Sequence, residues 1–134
     1  MEKNFLGIDY GEKRIGLALA GETEKIARAF KIIHKLKELD DIVPAKNVVA
    51  FVMGLPLQPD GSEGETAANA RLFAAQLEAK YALPVYWQDE RKTSVAAESY
   101  LKDGLYMRPD KRKEILDAES ARIILERWLA ISAK

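Results

Sequence analysis

Asp9 is the side chain in this sequence best placed to do chemistry. It lies inside Leu6-Gly7-Ile8-Asp9-Tyr10-Gly11, where four of the six residues are apolar or Gly, the pattern of a strand buried on both faces. A carboxylate in such a strand is costly unless it is paired or bound to a metal. The plainer role open to Asp9 is to accept hydrogen bonds from a turn at Gly11. Two further acids have positions that suggest function. Glu90 follows directly after a predicted fifth strand, at the carboxyl edge where open α/β sheets place their sites. Asp117 precedes Ala121 by four residues and Ile124 by seven, so it shares the apolar face of the last predicted helix and points at the sheet. Each also has an ordinary reading: Glu90 as a loop carboxylate paired with Arg91, and Asp117 as an edge residue, solvated or paired with Arg112 or Lys113.

Three acids drawn to one sheet edge repel each other unless a divalent cation sits among them. Hard oxygen ligands, with no Cys and a single His in the chain, favour Mg²⁺ or Mn²⁺ over zinc. Such an ion would generate a hydroxide nucleophile and stabilise the departing oxygen of a phosphodiester. Basic residues accompany each acid: Lys13 and Arg14 after Asp9, Arg91 and Lys92 after Glu90, and Arg108, Lys111, Arg112 and Lys113 before Asp117. A metal site ringed by cations suits a phosphate backbone, so these eight are the expected nucleic-acid contacts. A solvated Lys-rich loop is the alternative for the 108–113 group. Tyr106 could stack on a base or anchor the loop in the core.

The scaffold for these residues can be read from periodicity. Phe5 to Asp9, Ile15 to Ala20 and Ile26 to Ile33 are apolar runs joined by short polar turns, a meander of three antiparallel strands. Gly7 and Gly16 inside these runs mark a bulge or the close approach of a backbone or ligand. One short helix is expected in the charged stretch 35–46, then a fully buried strand from Val48 to Met53 ending at Gly54. Ser62 with Glu65 reads as a capping box that opens a helix over 62–80, with Ala70, Phe73, Ala74, Leu77 and Tyr81 at helical spacing. Pro84 to Trp87 is the fifth strand. Thr93 or Ser94 caps a short helix through Leu101, with Gly104 placed to end it. Residues 102–113 form a basic loop, and the last helix runs over 110–130. The order βββαβαβα predicts an α/β fold with a mixed five-stranded sheet and helices on both faces.

With 134 residues the chain suits one domain, 1–134, with one core. Lys+Arg and Asp+Glu are both 21, so net charge gives no argument for a polyanionic partner. Absent cysteines, a start without a secretory signal pattern and no apolar run of membrane-spanning length lead to the expectation of a cytoplasmic protein with no membrane partner.

Four motifs extend these expectations. Gly7-Ile8-Asp9-Tyr10-Gly11-x-x-Arg14-Ile15-Gly16, Gly54-Leu55-Pro56-Leu57 with Asp60-Gly61-Ser62, Asp89-Glu90-Arg91-x-Thr93, and Asp117-Ala118 together resemble the YqgF/RuvX family, in this order and over nearly the whole chain. The resemblance implies a ribonuclease H-like fold, an acidic site at Asp9, Glu90 and Asp117, and a nuclease that processes the 5′ end of pre-16S rRNA or resolves Holliday junctions. It leaves monomer and homodimer both open. The RuvC-type resolvases differ after the fourth strand, where Gly54-Leu55-Pro56-Leu57 supplies no acid. The strand-one motif also resembles the phosphate-binding segment of the Hsp70, actin and sugar-kinase group, but those proteins hold ATP between two lobes and this length supplies one. Gly61-Ser62-Glu63-Gly64 lacks the Lys of a P-loop. His34, beside Lys35, reads as a strand-end residue. A nucleic-acid binding factor without nuclease activity is the remaining alternative.

Overall fold

The computed structural model describes residues 2–90 and 109–132. Three strands, β1 (Asn4–Asp9), β2 (Ile15–Gly21) and β3 (Arg28–Ile33), form the expected antiparallel meander. A single 3₁₀ turn (Leu36–Glu38) leads into α1 (Leu39–Ala45), then β4 (Val48–Leu55), α2 (Glu65–Tyr81), β5 (Val85–Asp89) and α3 (Pro109–Ser132). The sheet order is β3-β2-β1-β4-β5, with β4 parallel to β1 and β5 parallel to β4. The sheet is therefore mixed, and the carboxyl ends of β1, β4 and β5 share one rim.

Strand alternation divides the buried residues between two faces. Leu6, Ile8, Leu17, Phe51 and Met53 point to the side covered by α1 and α2, where they meet Leu39, Ile42, Phe73 and Leu77. Burial of each such side chain contributes about 1.5–3 kcal/mol. The other face is built from smaller residues. Ala18, Ala20 and Val52 lie under Ala121, Ile124, Leu125 and Leu129 of α3, so α3 lies close to the strands. Its far end is held by Trp128, which packs edge-on against Phe5 (ring centroids 5.2 Å apart) and stacks on Tyr86 (5.1 Å).

Two local expectations differ from the structure. Ser62 does not cap α2. The Asp60-Gly61-Ser62 turn, with Gly61 at φ 89°, brings both the Ser62 N–H (2.9 Å) and its hydroxyl (2.6 Å) onto Asp60 Oδ1. Ser62 is thus consumed locally, and α2 starts at Glu65 behind Gly64 with no side-chain cap. The reciprocal carboxylate cap sits instead at the 3₁₀ turn, where Glu38 accepts from the backbone N–H groups of His34 and Lys35. The third strand begins at Arg28 rather than Ile26, because the chain is still turning at Lys25 (φ 58°), whose N–H reaches the Gly21 carbonyl. The helix expected from Thr93 or Ser94, and Tyr106, lie outside the described residues.

Candidate functional site

Asp9 ends β1, and its antiparallel partner on β2 is Gly16. Alternation along β1 sends Asp9, with Phe5 and Gly7, to the α3 face. Glycine decides what can lie over it. A Cβ at Gly16 would fall 2.0 Å from the Asp117 carbonyl oxygen, and one at Gly7 would fall 2.9 Å from Leu125 Cβ and 3.0 Å from the Ala121 carbonyl oxygen. The α3 main chain therefore rests directly on the bare backbone of β1 and β2. Of the two alternatives for Gly7 and Gly16, the close approach of another backbone is realised. This contact sets Asp117 beside the Asp9–Gly16 pair.

Glu90 enters from the other side. Its N–H donates to the Leu55 carbonyl at 3.2 Å, which turns the chain inward just past β5. Its side chain crosses Gly54, where a Cβ would lie 2.7 Å from Glu90 Oε2 and 2.5 Å from Ile124 Cδ1. Gly54 thus does not end β4, which continues through Leu55. It vacates the space that the Glu90 carboxylate fills, a role that spacing along the sequence does not reveal.

Asp9 and Glu90 are hydrogen-bonded to each other. Burial raises Asp9 well above the ordinary aspartate value of 3.8, and the charges of Glu90 and Asp117 push it further in the same direction. Burial also raises Glu90, with a smaller push from Asp89, while the hydrogen bond from Asp9 opposes the rise. Together these directions describe a pair sharing one proton, Asp9 donating and Glu90 accepting. Asp117 is bound differently. Arg14 Nε donates to its Oδ2 at 2.7 Å, with the two side chains 34% and 28% exposed. Its partner among the described side chains is Arg14, 103 positions away in sequence; those of Arg112 and Lys113 lie outside them.

The structure brings Asp9 and Glu90 together and places Asp117 within electrostatic reach. Among the described residues, no three acid or histidine side chains converge closely enough to hold one ion in this conformation. In this conformation two members of the expected trio, Asp9 and Glu90, are in contact, and Asp117 is held beside them by Arg14. Arg14, expected to contact phosphate, donates its Nε–H to Asp117. Lys13 is exposed nearby, and its backbone carbonyl lies 3.0 Å from His34 Nδ1, which keeps His34 in a strand-end role. Arg91, Lys92 and Arg108 lie outside the described residues. Lys111, Arg112 and Lys113 fall in the first turns of α3, and their side chains lie outside the described residues too.

A groove of about 390 Å³ runs from Asp117 across the sheet rim to α2, lined by Tyr10, Lys13, Arg14, Thr66 and Asn69 among others. Nothing in the sequence distinguishes Thr66 and Asn69, which look there like ordinary polar positions of an amphipathic helix.

Residues 3–131 match the family model described as RuvX: Holliday junction resolvase. A protein of Burkholderia ambifaria, provisionally named a pre-16S rRNA nuclease, is 41% identical over 134 residues, covering 96% of this chain and 89% of its own length. A protein of Maridesulfovibrio salexigens with the same provisional name is 42% identical over 132 residues, covering 93% and 96%. Among solved structures, T. thermophilus RuvC in complex with a Holliday junction substrate superposes with a TM-score of 0.58 at 14% identity, covering 98% of this chain and 96% of that one. Fowlpox virus resolvase with junction DNA gives 0.59 at 10% identity, covering 98% and 99%. These two likenesses are of fold, a ribonuclease H-like mixed sheet.

Proposed function

Because this chain belongs to the RuvX family, we propose that it is a divalent-metal-dependent nuclease that hydrolyses phosphodiester bonds in nucleic acid, and that it processes the 5′ end of pre-16S rRNA in the cytoplasm. The observation that carries this reading is the hydrogen-bonded Asp9–Glu90 carboxyl pair, held out of water at the carboxyl rim, with Asp117 beside it. A carboxyl pair held partly out of water stores an unfavourable arrangement that a hard cation relieves by replacing the shared proton. The donors are all oxygen, which fits Mg²⁺ or Mn²⁺ and not zinc. Asp9 and Glu90 would hold the ion, with Asp117 completing the set as its contact with Arg14 opens. When bound, the metal supplies an activated water and neutralises charge on the leaving oxygen. The remaining work falls to the protein. Arg14 holds Asp117 ready at the rim. Lys13, and with it Arg91, Lys92, Arg108, Lys111, Arg112 and Lys113, would neutralise the substrate phosphates and set its register.

The RNA substrate is supported by the names of the relatives. A second reading, junction resolution in DNA recombination and repair, is favoured by the description of the family model and by the junction-bound structural neighbours. The two readings use the same residues. Metal-dependent cleavage assayed side by side on a precursor rRNA 5′ end and on a four-way DNA junction separates them. Preferential RNA cleavage, lost in Asp9→Asn, is the expected result. Symmetric junction cleavage by a stable homodimer would reverse the assignment, and binding without cleavage by the metal-loaded protein would make it a non-catalytic factor. No helix among the described residues is long and apolar enough to cross a membrane.

A further inference from the structure

The groove beside Asp117 has a composition that the acid site does not require. At about 390 Å³ it lies in the range of sites that take one small ligand. Its size and its position next to the acids suit a single nucleotide turned out of a strand rather than a segment of paired duplex. On its β1–β2 side stands Lys13, exposed and making no ion pair among the described residues. On its α2 side stand Thr66 and Asn69, three residues apart and so on one helix face. The Asn69 amide makes a long bond, Nδ2 to Glu12 Oε1 at 3.4 Å. Beyond about 3.2 Å such a contact is weak, so the amide can exchange it for a ligand at little cost. Tyr10 also lines the groove, and its ring is packed against Phe73 (centroids 4.7 Å apart), which fixes that wall. The groove is lined by the cations Lys13 and Arg14, the carboxylates Glu12 and Asp117, and the α2 hydroxyl and amide, so a phosphate can sit at the cations and a sugar edge at Thr66 and Asn69. A hydroxyl and an amide, each able to donate and accept, suit a ribose 2′-OH, which does the same.

We propose that this groove binds one unpaired ribonucleotide flanking the phosphate to be cut, with its phosphate on Lys13 and its 2′-hydroxyl on Thr66 and Asn69. The inference rests on the nuclease reading and names its substrate as single-stranded RNA. Thr66 and Asn69 are then the residues that distinguish RNA from DNA.

The test measures binding of a short labelled single-stranded RNA, and of the DNA of the same sequence, by fluorescence anisotropy in EDTA so that no turnover occurs. Wild type is expected to bind the RNA more tightly. In the Thr66→Val/Asn69→Ala double variant, RNA affinity should fall about three- to tenfold, to the DNA level, with DNA affinity unchanged. Lys13→Gln should weaken both ligands equally. Circular dichroism melts check that the double variant folds; Thr66 is exposed and Asn69 half-buried, so the midpoint should hold. Equal weakening of RNA and DNA by the double variant, or unchanged RNA affinity, overturns the proposal. If RNA affinity is unchanged while Asp9→Asn still abolishes cleavage, the groove assignment fails and the nuclease reading stands. If RNA affinity falls as expected but Asp9→Asn still cleaves, the groove assignment stands and the catalytic reading fails.

Discussion

Replacing Asp9 with Asn removes one ionisable oxygen and changes almost nothing in shape, so its consequences follow from electrostatics. In the metal-free protein burial and the neighbouring carboxylates favour the protonated form of Asp9, which donates a hydrogen bond to Glu90. The Asn amide can donate in the same direction, so the hydrogen bond survives. The mutant also loses a penalty. A carboxyl whose pKa rises on folding destabilises the native state at every pH above its unfolded value, by up to about 1.4 kcal/mol for each tenfold gain in proton affinity. Metal-free Asp9→Asn at pH 7 should therefore be as stable as wild type, or more stable by about 1 kcal/mol. An Asp9 that served only as a buried hydrogen-bond acceptor would instead cost about 1–3 kcal/mol on replacement. Metal sharpens the contrast. A cation at about a hundredfold its dissociation constant adds about 2.7 kcal/mol to stability, and for a chain of this size that raises the melting midpoint by roughly 10 °C. Thermal melts with and without Mn²⁺ should show this rise in wild type and lose it in Asp9→Asn, together with metal-dependent cleavage. Equal Mn²⁺ responses in the two proteins, or a metal-free destabilisation of about 1–3 kcal/mol with cleavage intact, would refute the reasoning.

Other consequences are as direct. Because Asp9 and Glu90 are both raised, their effect on stability is absent below the unfolded values near 4 and grows as a loss while pH rises towards the folded ones; melts across pH should show this decline, flattened in Asp9→Asn, and Mn²⁺ affinity should fall as pH drops because the ion must displace the shared proton. Gly16→Ala should cost about 2 kcal/mol or more, since its methyl would meet main chain at 2.0 Å. Gly54→Ala meets only side-chain ends, Ile124 Cδ1 and Glu90 Oε2; denaturant melts should show a smaller loss than for Gly16→Ala, while cleavage drops because Glu90 is displaced. Arg14→Gln should change stability by less than about 1 kcal/mol, its ion pair being a third exposed, yet alter the Mn²⁺ midpoint by releasing Asp117. Replacing Lys111, Arg112 and Lys113 with Ala should weaken RNA and DNA alike and shallow the log-log salt dependence by about 0.7–0.9 for every phosphate left without its cation; an unchanged slope would return these residues to the solvated surface.

The acids are legible in the sequence because each breaks a local pattern: Asp9 a buried strand, Asp117 an apolar helix stripe, and Glu90 a strand end at the functional rim. Element order is legible for the same reason, since periods of two and of about 3.6 alternate clearly along the chain. What escapes depends on contacts between distant segments. Nothing near Arg14 reveals that the β1–β2 register will deliver it to Asp117, so in sequence its charge looks available to phosphate. Ser62 satisfies the spacing of a capping box, but Asp60, two residues earlier, competes for the same hydroxyl and wins at shorter range. Gly54 looks like a strand end because the side chain that uses its space comes from beyond another strand. The groove residues Thr66 and Asn69 cannot be singled out at all, because only the fold sets them opposite Lys13.

The bare contact between α3 and the two glycines carries a consequence for ion size. A helix lying on ordinary side chains can shift along a sheet as those side chains change rotamer, but α3 rests on backbone at Gly16 and is held at its other end between Phe5 and Tyr86. It behaves as the fixed jaw of a calliper whose other jaw is the end of β1. Any cation held there would meet a backbone frame of nearly constant width, adjustable mainly by rotation about the side-chain bonds of Asp9, Glu90 and Asp117. Ca²⁺ takes oxygen ligands about 0.3–0.5 Å farther away than Mg²⁺ does, more than a fixed frame absorbs without loosening a ligand. The glycines would thereby set which ions bind productively, even though they supply no ligand themselves.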